Sequence, residues 1–147
     1  MQAELCGVTL HYEQYGQGDR HVLMLHGWGC EIKHFAPIAD SLQSDYYITV
    51  IDFPAHGQST PPPQPWGVAD FAACVKALIL QLGIAPCDII AHSFGGRVAL
   101  LMAAENPERV GRLMSRSLSS AWCLPAARAS KSRKRPSSKS APRAIKG

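Results

Sequence analysis

Beyond residue 110 the chain has no acidic residue, and beyond residue 92 it has no histidine. All 11 Asp and Glu lie in 1–110 against five Lys and Arg, a balance of −6. Residues 111–147 hold the other ten bases and no acid, a balance of +10, so the formal charge of +4 describes neither part. Aromatic residues are scarce, at 7%, and none interleaves the bases of Lys131-Ser132-Arg133-Lys134-Arg135. With no nucleic-acid-binding pattern beside it, this patch is not expected to serve DNA or RNA. The five cysteines are scattered without a Cys-x-x-Cys pair, which argues against a disulfide framework and a zinc site. Two of them fall in segments expected to be buried, where cysteine acts as a small hydrophobe. No basic-then-apolar leader opens the chain and no apolar run reaches membrane-spanning length. The expectation is a cytoplasmic protein acting away from the membrane, without metal or cofactor and with its oligomeric state left open.

What the chain does have is alternation. Val8–Tyr15 favours β structure, and His21-Val22-Leu23-Met24-Leu25 is apolar almost throughout, as in a parallel strand covered on both faces. Ile32, Phe35, Ala36, Ile38, Ala39 and Leu42 recur at helical spacing, which predicts a helix from Ile32 to Leu42. Tyr46–Asp52 reads as a strand, and a Pro-rich loop follows at 60–65. Val68–Leu82 reads as an amphipathic helix that Gly83 should stop. Cys87–Ala91 is a short apolar strand and Gly95–Ala104 a helix that Asn106-Pro107 ends. This order predicts an α/β fold, a doubly wound and mostly parallel sheet, with functional loops at the C-terminal ends of the strands. Trp28, His56 and Ser93 all fall at such ends.

Ser93 sits on the turn between the last strand and its helix. Ala91 and Gly95, two residues to either side, are small enough to let strand and helix approach closely. Such a turn lifts the hydroxyl off the sheet and sets a helix N-terminus, with its free N–H groups, beside it. Ala91-His92-Ser93-Phe94-Gly95, followed by Gly96, resembles the Gly-x-Ser-x-Gly nucleophile elbow of the α/β-hydrolase fold, with Ala91 in place of the first glycine. His26-Gly27-Trp28-Gly29 follows a strand where that family places its oxyanion loop. Asp52-Phe53-Pro54-Ala55-His56-Gly57-Gln58-Ser59 resembles the family's Asp-x-Pro-Gly-x-Gly-x-Ser loop, with Ala55 in a glycine position. The three motifs occur in the family's order, and the resemblance covers about residues 5–114.

The resemblance implies a serine hydrolase acting on an ester-like or related carbonyl of a small molecule. Ser93 would be its nucleophile, and the backbone N–H groups of Trp28 and Phe94 its oxyanion donors. The serine excludes the family's Asp-nucleophile branches. His26 is expected to be structural. His92 should point away from Ser93, since neighbours at a tight turn diverge. Cys30 is expected in a pocket wall or buried. Trp28 and Phe94 would wall an apolar pocket, with Trp66 either in that wall or in the core. The Asp52 loop should pack beneath the site without supplying catalytic groups.

The family's triad continues with an acid and then a histidine after the serine. Here only Glu105 and Glu108 follow, with no histidine, so the chain is expected to be an N-terminal part, catalytically incomplete. Residues 1–114 read as that hydrolase core, ending after the elbow helix. Residues 115–147 read as a disordered, basic, Ser- and Pro-rich tail, which a shifted reading frame would explain. The strand at the break, or the elbow strand itself, should then form an exposed apolar edge and lower solubility. The alternative is a non-catalytic, hydrolase-like binding fragment with a basic tail.

Overall fold

The computed structural model describes residues 1–116 and the backbone of Ala121–Leu124. Its centre is a seven-stranded sheet. In chain order the strands are β1 (Gln2–Leu5), β2 (Val8–Tyr15), β3 (Arg20–Leu25), β4 (Tyr46–Ile51), β5 (Cys87–His92), β6 (Val110–Arg116) and β7 (Ala121–Leu124). Across the sheet they run β1-β2-β4-β3-β5-β6-β7. The four central strands are parallel, while β1, β2 and β7 attach antiparallel at the two sides. The doubly wound, mostly parallel sheet expected from the alternation is present.

The apolar run of β3 is explained by its two covered faces. Leu23 and Leu25 belong to one core, beneath α2 (Val68–Leu82) and α3 (Phe94–Glu105). Val22 and Met24 belong to a second, smaller core beneath α1 (Ala36–Leu42). Each such side chain stabilises the fold by about 1.5–3 kcal/mol through burial. Cys74 and Cys87 are buried in the first core, where desolvation pushes both thiols up to about 12.

Three boundaries differ from the sequence pattern. The helix expected from Ile32 is split into a 3₁₀ turn at Ile32–His34 and then α1. Pro37 is the reason, because a residue without an N–H is accommodated in a helix's first turn and not inside it. β1 was not visible in the pattern; it pairs with β2 through Cys6-Gly7, both at positive φ (53° and 78°). The third lies at the far side, where β6 continues through Ser115 and Arg116, past the expected break at 114. β7 then pairs with it in the register Met114–Cys123 and Arg116–Ala121. The elbow strand β5 therefore lies inside the sheet, and β6 is covered on its outer side by β7. The rest of the expected tail, 117–120 and 125–147, lies outside the described residues.

α2 has the predicted bounds. The Asp70 carboxylate accepts the Gly67 N–H at 2.8 Å at its start, and Gly83, at φ 65°, ends it. Among the described residues no helix is long and apolar enough to cross a membrane.

Candidate active site

Ser93 links β5 directly to α3 and has φ 49° and ψ −109°. A serine in the positive-φ region costs on the order of 1–3 kcal/mol, so the surroundings must hold it there. They do so from both sides. The Ser93 N–H donates to the Arg116 carbonyl on β6 at 2.9 Å, and the Ser93 carbonyl accepts the Gly96 N–H at 3.0 Å. The next turn is anchored to the loop after β3, where the Gly95 N–H donates to the His26 carbonyl at 3.1 Å.

Small residues permit this closeness, as the spacing predicted. Ala91 is buried, and a β-carbon on Gly95 would run into the Leu25 carbonyl oxygen and lie 2.7 Å from that of His26. A β-carbon on Gly27 would lie 2.7 Å from His92 Nδ1 and 3.2 Å from Ser93 Cβ. The loop carrying Gly27, Trp28 and Gly29 is therefore packed against the serine. Among the described residues, neither the Trp28 nor the Phe94 N–H has a hydrogen-bond partner. Phe94 begins α3, so its N–H belongs to the unsatisfied positive end of that helix.

Aromatic edges tie the loops together. Trp28, 67% exposed, meets His56 edge-on at 4.9 Å and Phe94 at 5.4 Å. Phe94 in turn meets Phe53 at 5.5 Å and Phe71 at 5.1 Å. Each such contact contributes about 0.5–1.5 kcal/mol beyond its burial. Trp66, for which wall and core were both open, packs on Phe71 at 5.4 Å against the larger core.

His26 is fully enclosed. Its Nε2 accepts the Phe53 N–H at 3.0 Å, so the proton sits on Nδ1, which donates to the Gly27 carbonyl at 2.7 Å. Burial holds its pKa below the usual histidine value, in keeping with the neutral ring this arrangement needs. His92 and Cys30 both line a groove on the α1 face of the sheet.

Asp52, expected only to pack, is a junction that spacing did not reveal. Its carboxylate accepts the Ile32 N–H at 2.8 Å, the Gln58 N–H at 3.0 Å and the His11 Nδ1–H at 2.9 Å. Ser59 closes the same knot, donating to the Asp52 carbonyl at 2.7 Å and accepting the His11 N–H at 2.8 Å. The loops bearing Trp28 and His56 are thus fixed to one buried carboxylate. His11 is 41 residues away in sequence, and no local pattern could have linked it.

Ala55 has φ 66°. Its β-carbon costs about 1–2 kcal/mol there, part of which glycine's larger unfolded-state entropy would return. Ala55→Gly should raise stability by about 0.5–1 kcal/mol, read as a higher urea midpoint at unchanged slope; a lower midpoint would mean the turn is not strained.

No group of three or more His, Cys, Asp or Glu that could hold a metal ion occurs among the described residues. The sequence model of a family described as alpha/beta hydrolase fold matches residues 20–134. The pimeloyl-[acyl-carrier protein] methyl ester esterase of Chromobacterium violaceum is 36% identical over 106 residues, covering 72% of this chain and 39% of that protein. The dihydrolipoyllysine-residue acetyltransferase component of the acetoin cleaving system of Cupriavidus necator is 32% identical over 108 residues, covering 74% and 29%. The crystal structure of the enol-lactonase from Burkholderia xenovorans LB400 matches with a TM-score of 0.74 over 77% of this chain and 45% of that one, at 24% identity, a likeness of fold. The chain spans less than half the length of these relatives.

Proposed function

The chain belongs to the alpha/beta hydrolase fold family, and from that premise we propose that it carries the nucleophile half of a serine hydrolase acting on an ester-like carbonyl of a small molecule. The observation that carries this reading is the backbone of Ser93, held at φ 49° between β5 and α3. A strained turn there has no packing purpose that a glycine would not serve better, and it lifts a hydroxyl clear of the sheet. The serine oxygen would attack the carbonyl carbon as the C=O double bond opens, its proton passing to water where no base is in place. Collapse of the adduct would expel the alcohol and leave the acyl group on Ser93. Within the adduct, the oxygen that gains charge would be held by the Trp28 and Phe94 N–H groups. Such preorganised donors contribute about 2.7–4 kcal/mol each to transition-state stabilisation. The names of the two curated relatives, an ester hydrolase and an acetyltransferase component, both describe chemistry at an acyl carbonyl.

As it stands the chain is read as catalytically incomplete. Glu105 closes α3, 12 residues beyond Ser93, so a rise of about 1.5 Å per residue puts it about 18 Å away. It is also engaged with Lys76 at 2.7 Å. Among the described residues no histidine or carboxylate hydrogen-bonds the Ser93 hydroxyl. His26 is locked, His56 donates from Nδ1 to the Pro54 carbonyl at 3.0 Å, His92 lies in the groove, and no histidine follows in sequence. Without a base the serine keeps only what positioning and the oxyanion donors supply, and loss of a triad histidine costs about 10⁶ in turnover.

A fluorophosphonate probe reacts with a serine oxygen in proportion to its nucleophilicity, so without a base only positioning and the oxyanion donors would raise the rate above that of an ordinary serine. The full chain should label slowly at Ser93, and Ser93→Ala should abolish the signal. Labelling that persists in Ser93→Ala, or a wild-type rate no faster than that of the urea-unfolded chain, would sink the nucleophile reading. The non-catalytic reading would then stand, and the groove left beside β5 and β6 among the described residues is the observation that favours it.

A further inference from the structure

Two cysteines outside the candidate active site meet where β1 packs on α2. Ala3 and Leu5 of β1 and Val8 of β2 join the larger core beside Phe71 and Cys74 of α2. Cys6 follows β1 directly, in the turn that leads to β2. It is exposed, whereas Cys74 is fully buried. The buried Cys74 thiol donates a hydrogen bond to the Cys6 sulfur. β1 and β7 stand at opposite ends of the strand order, so this contact involves no residue beyond 116.

The turn is an unusual place for a cysteine. Cys6 has φ 53° and Gly7 φ 78°, the left-handed pair of a two-residue hairpin turn, where Asn, Asp and Gly are favoured. Gly7 obeys that preference and Cys6 does not. A thiol gives the turn itself nothing; what it reaches is Cys74. Burial, and after it the neighbouring Cys6, push the Cys74 thiol up to about 12, which keeps it protonated at neutral pH and slow to meet an oxidant on its own. The pair is therefore asymmetric. An accessible thiol meets a small oxidant first, and an enclosed one is spared until its neighbour is modified.

We propose that Cys6 and Cys74 form a redox-reversible clasp, closing to a disulfide that ties the β1–β2 turn to α2 when the chain meets hydrogen peroxide. One peroxide oxygen goes to the Cys6 sulfur, giving a sulfenic acid and releasing the other as water. The Cys74 sulfur then attacks the Cys6 sulfur and displaces hydroxide, which leaves with the Cys74 proton as a second water. Two thiols are oxidised to one disulfide, and one hydrogen peroxide is reduced to two waters. The turn supplies the movement that brings the sulfurs to bonding distance, because α2 is fixed in the core while a β-carbon on Gly7 would meet nothing within 4 Å. A dithiol reductant reopens the bond. The inference does not depend on Ser93 being a nucleophile.

The test uses the full chain, treated with equimolar hydrogen peroxide, alkylated in urea and digested with trypsin without reduction. Each of the five cysteines falls on its own tryptic peptide, so mass spectrometry identifies the pair that forms. Peptides 1–20 and 34–76 should appear joined, lighter by two hydrogens than the two apart, and should separate with dithiothreitol. Closing so long a loop should raise the urea midpoint of the oxidised chain by about 1–2 M over the reduced chain. Cys6→Asn, which suits the turn, should fold at least as well when reduced and lose both the joined peptide and the rise on oxidation. Cys74→Ala should lose them too, with folding checked by circular dichroism. Joining no faster in the native chain than in urea, a different cysteine pair as the main product, Cys6 carried on to sulfinic acid with Cys74 still alkylated, or an oxidised chain no harder to unfold than the reduced one would overturn the inference.

Discussion

Asp52→Ala should lower stability by about 4 kcal/mol and, with it, release the two loops that carry Trp28 and His56. The carboxylate satisfies three donors: the Ile32 and Gln58 N–H groups and His11 Nδ1–H. Each donor left unpaired in a buried site costs about 1–3 kcal/mol. Gln58 is partly accessible and recovers most of its share through water, so the two fully buried donors, at about 2 kcal/mol each, set the loss near 4 kcal/mol. With a urea slope of about 1–3 kcal/mol/M, the midpoint should fall by roughly 2 M. Asp52→Asn should fall between wild type and Asp52→Ala. Its carbonyl oxygen keeps the Ile32 bond, but its NH₂ group must face the Gln58 donor. Hydrogen exchange should show faster opening at Ile32 and Gln58 before α2 is affected, since α2 does not touch this carboxylate through a hydrogen bond. A midpoint shift below about 0.5 M for Asp52→Ala would mean the knot is incidental.

That junction marks the division between what local pattern could and could not show. The elbow was legible because its requirements are local: a short apolar strand, small residues around Ser93 and a helix that starts at once. Each has a counterpart in the buried Ala91, the close approach at Gly95 and the bounds of α3. Trp28 and His56 are legible as members of two separate loop motifs at strand ends, and winding the sheet brings their rings to 4.9 Å. The sequence shows Asp52 only as a loop residue because its three partners lie 20, 6 and 41 residues away, at no regular spacing.

Other features depended on length and sign. β1 is four residues and its turn is Cys6-Gly7, which lacks the Asn-Gly or Asp-Gly signature of a two-residue hairpin. The end of β6 carries no apolar signal because Ser115 and Arg116 are polar. Ser115 faces Gly96 on the α3 side, and Arg116 lies toward the groove, so neither needed the apolar character a doubly covered strand would show. Among the described residues half of one face has no helix over it, and this has a trace in the sequence: β6 alternates where β3 does not. The polar Ser115 and Arg116 are thus compatible with a strand, while 117–120 and 125–147 lie outside the described residues.

Gly95→Ala and Gly96→Ala should differ sharply although the residues are neighbours in the same helical turn. Alanine improves helix propensity over glycine by about 1 kcal/mol at either position. At Gly96 the new methyl meets the Ser115 hydroxyl, a single atom that another rotamer moves aside, so the net change should lie within about 1 kcal/mol of zero. At Gly95 it meets the carbonyl oxygens of Leu25 and His26, which are main-chain atoms of β3 and the loop it feeds. β3 is held between β4 and β5 and cannot retreat without breaking ladders on both sides. Overpacking of this kind costs about 1–3 kcal/mol and more when backbone must move, so Gly95→Ala should lose about 3 kcal/mol net. The displacement would also stretch the 3.1 Å bond from the Gly95 N–H to His26, separating the Phe94 N–H from the Trp28 loop. Fluorophosphonate labelling of Ser93 should therefore drop in Gly95→Ala and persist in Gly96→Ala, with folding of both checked by circular dichroism. If the two variants lose labelling equally while both stay folded, the spacing of α3 from the loop after β3 does not set the proposed oxyanion geometry.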